Sequence, residues 1–266
     1  MTERYKETAA SDHRPWIGQR GWLKQRRGQA RRMMVAGTSD VTGRMRRISL
    51  VSDDLDDFRW SPGQDMVLEL PLASGETAPR HYTIRHYDEA EQRIDIDMVL
   101  HGAGASAQWL ERVRIGDRLI AVGPRGHTQL AGDATRHLFV GDETGVAAIA
   151  AMAEALHPAV RAMALIEVED EADIQPLRSP ADLTVAWLYR QGAPAGSSRL
   201  LLDAVDGLNI DLASTQASST QAYIIGETSQ VRAVRHHLIA AGLPKGRITA
   251  EGYWRPGRVG GHDHVF

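Results

Sequence analysis

Arg80-His81-Tyr82-Thr83-Ile84-Arg85 brings a cation, an aromatic ring and a hydroxyl together within four residues, between a Gly/Pro-punctuated run at 60–71 and a strand-like run at 93–100. In an extended segment these groups suit a flavin dinucleotide. Arg80 can neutralise a pyrophosphate, Tyr82 can stack on a flat ring system, and Thr83 can hydrogen-bond a ring heteroatom. An ordinary strand uses the same residues differently, with the tyrosine capping a barrel core and the arginines in water. Six residues do not separate the two readings, so the surrounding chain decides.

Downstream, 99–109 reads Val-Leu-His-Gly-Ala-Gly-Ala-Ser-Ala-Gln-Trp. Gly116-Asp117, Gly123-Pro124-Arg125-Gly126 and Gly141-Asp142-Glu143-Thr144-Gly145 follow, and Gly252-Tyr253-Trp254-Arg255-Pro256-Gly257 comes near the end. In this order and spacing, from about Val41 to Gly257, the chain resembles the siderophore-interacting proteins, FAD-containing ferric-siderophore reductases related to the ferredoxin reductases. The resemblance implies that Arg80 reaches phosphate, that Tyr82 packs on the ring system, and that Thr83 hydrogen-bonds near its redox-active edge. It also implies FAD contacts at His81, Asp97, His101, Gly102, Ser106, Ala107, Thr144 and Trp254. Backbone N–H groups at the helix start after His101-Gly102 would receive the pyrophosphate. Ala105 stands where the family usually has proline, which would preset the first helical turn. Gly145 and Ala147 likewise replace the family's common alanine and proline. Alternatives stay open at three positions: His101 as a strand-end histidine satisfied by backbone, Thr144 as a plain N-cap, and Trp254 as a hydrophobic anchor for the last strand. Arg85 matches the family without revealing whether it touches cofactor or only packs.

Two scaffolds must position these residues. Short strands are expected at 44–52, 65–70, 81–86, 93–100 and 118–123, with Ser61-Pro62-Gly63 and Ser74-Gly75 as turns and one helix at 105–114. Ile94, Ile96, Met98 and Leu100 alternate with Asp95, Asp97 and Val99, the period of a half-buried strand. About six antiparallel strands with one short helix describe a small closed antiparallel β-barrel. From residue 136 the period changes. Strands at 137–141, 161–168, 183–188, 222–225 and 247–251 alternate with helices at 145–156, 198–205 and 229–241, which specifies a parallel sheet covered by helices. The expected domains are a basic N-terminal arm (1–32), an FAD-binding β-barrel (33–132) and an α/β nucleotide-binding-like domain with a C-terminal tail (133–266).

Composition narrows the chemistry. The 266 residues contain no cysteine, which removes disulfides, thiolate iron–sulfur ligation and dithiol relays and leaves redox chemistry to a bound organic cofactor or a metal held by other ligands. Eleven histidines show no tight metal-ligand spacing, so no metal site is expected. A hydrophobic content of 42%, a formal charge of −3, no bilayer-length apolar run and a polar start without a signal-like core point to a cytoplasmic protein. Residues 14–32 hold seven Lys/Arg and no acid, interleaved with Trp16 and Trp22. That suits nucleic acid in principle, but glycines at 18, 21 and 28 break the run and no nucleic-acid module follows, so a solvated arm is expected.

The resemblance implies a reductase that moves electrons from NADPH or NADH through FAD to a ferric siderophore, releasing Fe(II) for use in iron metabolism, with no catalytic side chain beyond the flavin. A flavin is needed because nicotinamide gives a two-electron hydride while Fe(III) takes one electron. Ferredoxin is the alternative electron source. Arg125, Lys245, Arg247, Arg255 and Arg258 are candidate cations for anionic siderophores. The chain is expected to act as a monomer, without nucleic acid and without membrane insertion. The rival readings are a general NAD(P)H:flavin or ferredoxin-linked reductase and a siderophore carrier without turnover.

Overall fold

The computed structural model describes residues 30–100, 104–208, 219–257 and the backbone of 263–264. The arm up to residue 29, His101, Gly102 and Arg258 lie outside the described residues.

The first sheet is built from β1 (Ala30–Thr42), β2 (Met45–Val51), β3 (Asp65–Pro71), β4 (Thr77–Thr83), β5 (His86–Asp88), β6 (Arg93–Val99) and β7 (Arg118–Arg125). Its seven strands run antiparallel in the order β4-β3-β7-β1-β2-β6-β5. Ala30, Arg31 and Arg32, assigned above to the arm, are the first residues of β1. The stretch 81–86, expected as one strand, is divided. Thr83 ends β4 at one edge of the sheet and His86 begins β5 at the other. Two residues can link opposite edges only if the sheet curls on itself. At the link, Ile84 N–H donates to the Gln64 carbonyl (3.0 Å) and Arg85 N–H to the Asp95 carbonyl (2.9 Å). No ladder joins β4 to β5, so the sheet is barrel-like and open rather than closed. Ile94, Ile96 and Met98 of β6 fill its core with Ile48, Leu50, Met66 and Leu68. The helix α1 (Ala105–Leu110) is shorter than expected. It ends once Trp109 and Leu110 are buried, and a turn follows in which Arg114 N–H donates to Asp117 Oδ2 (2.8 Å).

The second sheet comprises β8 (Arg136–Asp142), β9 (Arg161–Val168), β10 (Asp182–Tyr189), β11 (Thr220–Glu227), β12 (Ile248–Trp254) and β13 (Asp263–His264), in the order β10-β9-β8-β11-β12-β13. Five strands are parallel and β13 is antiparallel to β12, which puts two residues of the expected tail into the sheet. Among the described residues the α-helices here are α2 (Val146–Glu154), α3 (Leu200–Asp206) and α4 (Thr228–Ala240). β11 is buried along its whole length, as a central strand covered on both faces must be. Strand order reverses between β8 and β11, so the C-terminal ends of these strands border the crevice where α/β sheets of this kind take ligands. Among the described residues no helix is long and apolar enough to cross a membrane.

Side chains join the two sheets. Arg85 makes a bidentate pair with Glu154 of α2 (2.8 and 2.6 Å), and Arg44, in the β1–β2 turn, reaches Asp173 (2.9 Å) and Asp170 (3.2 Å). Thr42 also donates to Asp173 (3.2 Å).

Candidate active site

Side chains alternate along β4, so Arg80 and Tyr82 share one face while His81 and Thr83 share the other. On the first face, Tyr82 O–H donates to Ser106 Oγ of α1 at 2.6 Å. Burial pushes the Tyr82 phenol up to about 12, with the Ser106 bond and the nearby Arg80 charge opposing, so the ring stays neutral at working pH. Arg80 donates to the Pro79 carbonyl (2.8 Å), and among the described residues no carboxylate pairs with it. Helix α1 starts after Gly104 with no side-chain cap. Its first internal bond is from Gln108 N–H to the Gly104 carbonyl (3.1 Å), which leaves the amides of Ala105, Ser106 and Ala107 without a helical acceptor. A cation, a set of uncapped amides and a pinned phenol ring thus stand together, and this donor set is short of an anion. It fits FAD, whose pyrophosphate supplies the anion and whose ring system supplies the stacking partner.

The second face meets the α/β sheet. His81 Nδ1 hydrogen-bonds Asp65 Oδ2 at 2.8 Å, and Thr83 Oγ1 lies 3.1 Å from the hydroxyl of Tyr253 in β12. Burial raises the Tyr253 phenol well above its ordinary value, the Thr83 bond opposes, and the carboxylates of Asp65, Glu251 and Asp142 add to the rise. The sequence left Trp254 open between an aromatic that covers the cofactor and an anchor for the last strand, and the β11–β12 pairing is irregular here, with Gly226 opposite Gly252 and Glu227 opposite Trp254. Trp254 turns its indole to Asp142 Oδ2 (2.8 Å), and Tyr253 is the residue that reaches the barrel. The Gly-Tyr-Trp order contained both candidates.

Asp142, at the end of β8, ties the parallel sheet's C-terminal edge together. Its Oδ1 accepts from Thr144 N–H (2.9 Å) and Thr144 O–H (2.5 Å), and its Oδ2 from Glu227 N–H (2.8 Å) and the Trp254 indole. Burial, and then the neighbouring Glu143, push the Asp142 carboxyl up to about 6, with the Thr144 and Trp254 donors opposing; all four groups that meet its oxygens are donors, which suits the carboxylate form. Thr144 therefore spends its hydroxyl proton on Asp142 and does not cap α2, where Gly145 stands at the N-cap without a side-chain bond. Glu227 caps α4 by accepting from the amides of Ser229 (2.8 Å) and Gln230 (2.9 Å). Glu143 is held by two bonds from Arg190 (2.6 and 2.8 Å).

Several expected site residues lie elsewhere. Both oxygens of Asp97 are taken by Arg47 (2.7 and 2.8 Å) and its side chain is 1% exposed, so that side chain is an internal counter-ion. Arg85 is committed to Glu154. The four described cations, Arg125, Lys245, Arg247 and Arg255, do not form one mouth. Lys245 and Arg247 precede β12 while Arg255 follows it, and seven strand residues at about 3.3 Å each separate them by roughly 20 Å. Arg247 is also paired to Asp133 (2.9 and 2.7 Å). Arg125 and Arg255 remain near the candidate site. Arg125 lies opposite Asp65 in the β3–β7 register, and Arg255 lies two residues beyond Tyr253.

Residues 134–257 match the family model described as siderophore-interacting protein, and residues 73–128 match that described as siderophore-interacting FAD-binding domain. The ferric vibriobactin reductase ViuB of Vibrio cholerae is 28% identical over 239 residues, covering 82% of this chain and 86% of its own length. An uncharacterized protein of Mycobacterium bovis is 32% identical over 242 residues, 83% of this chain and 81% of its own. The crystal structure of a siderophore utilization protein from T. fusca aligns with a TM-score of 0.79 at 28% identity, over 89% of this chain and 96% of that one.

Proposed function

The chain belongs to the siderophore-interacting protein family, and from that membership we propose that it is an FAD-dependent reductase carrying electrons from NAD(P)H to the iron of a ferric siderophore. The observation that carries the proposal is the unneutralised donor set of Arg80 and the first turn of α1 beside the pinned ring of Tyr82. Bound FAD supplies the step that nicotinamide and iron cannot make directly, accepting a hydride and passing on single electrons.

The protein's part is to bind, orient and admit. Arg80 and the amides of Ala105, Ser106 and Ala107 would hold the pyrophosphate, Tyr82 would support the ring system, and Thr83 would hydrogen-bond it. His81, fixed by Asp65, would add a further contact. The crevice at the ends of β8 and β11 receives the donor nucleotide. Arg125 and Arg255 attract anionic ferric chelates. The net reaction, NAD(P)H + 2 Fe(III) → NAD(P)⁺ + 2 Fe(II) + H⁺, asks for little acid–base machinery. Iron leaves because hard oxygen ligands hold Fe(II) less tightly than Fe(III). A relative spanning most of both chains is named a ferric vibriobactin reductase, which supports a ferric chelate as acceptor.

The test is anaerobic reduction of the purified protein with NADH or NADPH, followed by ferric chelates in turn while flavin absorbance is monitored. Reoxidation by ferric siderophores is expected. A protein that takes up no FAD yet binds ferric siderophore is a carrier, and one reoxidised no faster by ferric siderophore than by unrelated acceptors is a general reductase.

A further inference from the structure

Tyr253 reaches across the domain boundary to a residue 170 positions away and touches the one hydroxyl of the Arg80–Thr83 segment that faces the α/β sheet. We propose that Tyr253 is a positioning residue for the flavin: its hydroxyl sets the direction of the Thr83 hydrogen bond and thereby the cofactor's reduction potential. The inference rests on the FAD site proposed above.

A hydroxyl carries one proton and two acceptor lone pairs, so a Tyr–Thr pair can be arranged in two ways. With Tyr253 donating, the Thr83 proton is free for a neighbouring acceptor. With Thr83 donating to Tyr253, the Thr83 oxygen offers a lone pair to a neighbouring donor. A flavin ring nitrogen is an acceptor when oxidised and carries hydrogen when reduced, so losing the Tyr253 hydroxyl would weaken the Thr83 contact unequally in the two states, and an unequal change is a change of potential. Thr83 alone, 5% exposed, would turn its proton to whatever backbone carbonyl lay within reach. Tyr253 keeps its proton throughout, because its hydroxyl is desolvated and carboxylates lie nearby.

The partner is also held firmly. Trp254, next in the chain, is anchored to Asp142 at 2.8 Å. Gly252, just before, lies so close to α4 that a Cβ there would stand 2.5 Å from Thr228 Oγ1. Thr228 O–H in turn donates to the Trp254 carbonyl at 3.0 Å. On the barrel side Thr83 pairs with Asp65 in the β3–β4 register. A hydroxyl fixed at this depth by two neighbours on its own strand exceeds what a plain packing aromatic requires.

The experiment compares wild type, Tyr253→Phe, Thr83→Val, Thr83→Ser and the Tyr253→Phe/Thr83→Val double variant, all reconstituted with FAD. The readouts are the FAD Kd by fluorescence titration and the two-electron midpoint potential by spectroelectrochemistry. Tyr253→Phe is expected to keep its FAD Kd within about threefold while changing the ratio of affinities for oxidised and reduced FAD by roughly tenfold, about 30 mV for a two-electron couple. Thr83→Val should shift the potential in the same direction, Thr83→Ser should restore it, and the double variant should shift no further than Thr83→Val, because Tyr253 acts through Thr83. An unchanged potential in Tyr253→Phe, or a double variant whose shift is the sum of the two singles, overturns the proposal. Wild-type protein that takes up no FAD overturns the cofactor reading as well, and the titration alone distinguishes that outcome from the others.

Discussion

Gly226→Ala should cost the α/β domain much of its stability, and the size of the effect follows from the geometry at Asp142. Gly226 has a φ of +153°, a conformation that residues with a Cβ rarely adopt. An added Cβ would stand 2.7 Å from both Cγ and Oδ2 of Asp142 and 3.0 Å from Oδ1. That carboxylate cannot step aside cheaply, because each of its oxygens already accepts two hydrogen bonds. The backbone strain is worth about 1–3 kcal/mol. Displacing the carboxylate from at least two of its donors adds about 1.5–3 kcal/mol for each bond to the charge. The sum is roughly 4–9 kcal/mol, a large part of the 5–15 kcal/mol that a typical domain has in all. At roughly 3–4 °C per kcal/mol for a unit of this size, the transition assigned to the α/β domain should fall by at least about 12 °C in a far-UV circular dichroism melt. Gly132→Ala, where nothing lies within 4 Å of the new atom, is the control and should change the stability by less than about 0.5 kcal/mol. A Gly226→Ala protein that melts within about 3 °C of wild type would show that Asp142 can move, and the tied-edge argument would fail.

Arg80→Ala should fold normally and purify pale, with FAD binding weakened by about 2–3 kcal/mol, roughly 30- to 150-fold in Kd; full occupancy at high dilution contradicts the phosphate role. The Arg85–Glu154 pair is bidentate but partly solvated, so a double-mutant cycle with Arg85→Gln and Glu154→Gln should give a coupling of about 0.5–1 kcal/mol that shrinks in high salt. A coupling indistinguishable from zero at low salt removes it as a domain latch. If Arg125 and Arg255 steer anionic ferric chelates, reoxidation by those chelates should slow steeply between 0.01 and 0.15 M salt, as the Debye length falls from about 30 to about 8 Å, while neutral chelates show no such slope. Equal slopes for both acceptor types refute steering.

The parts of the fold legible in the sequence are those whose pattern is local. β9 occupies 161–168 as expected, because a buried parallel strand is one apolar run that ends where polarity returns. β1 was not legible at its start, because Arg31 and Arg32 look like part of a basic arm. Arg31 becomes a strand residue only because Asp57 Oδ1 (2.7 Å) and the Asp54 carbonyl receive its guanidinium and β7 pairs with its backbone. The split of 81–86 was hidden for a similar reason. Nothing in Ile84 or Arg85 forbids a strand, and only the curl of the whole sheet places His86 on the opposite edge. In the site, residue types were informative and partners were not. The Arg80, Tyr82 and Thr83 chemistry can be read from the motif, whereas Arg47 on Asp97, Glu154 on Arg85 and Tyr253 on Thr83 are separated from their partners by 50, 69 and 170 residues. The cations around β12 looked like one cluster because they are near in sequence, and a strand is the element that separates such neighbours most.

The two faces of β4 divide the site's work between two sources. Arg80, Tyr82 and Ser106 all belong to the barrel, so the groups proposed to hold the cofactor need nothing from the α/β domain. Thr83 is different, because its partner arrives on β12 and is placed only as well as the two sheets are held together. The bridges that hold them act at two separate points of the barrel. Arg85 sits in the β4–β5 link next to Thr83, and Arg44 sits in the β1–β2 turn, where it meets Asp170 and Asp173. Two well-separated points resist rocking of one sheet on the other better than a single point would. A hydrogen bond weakens steeply beyond about 3.5 Å, so a small rocking motion is enough to open the 3.1 Å Tyr253–Thr83 contact. Substitutions at Arg44 or Glu154, neither of which is a proposed flavin contact, should therefore move the potential while leaving cofactor affinity in place.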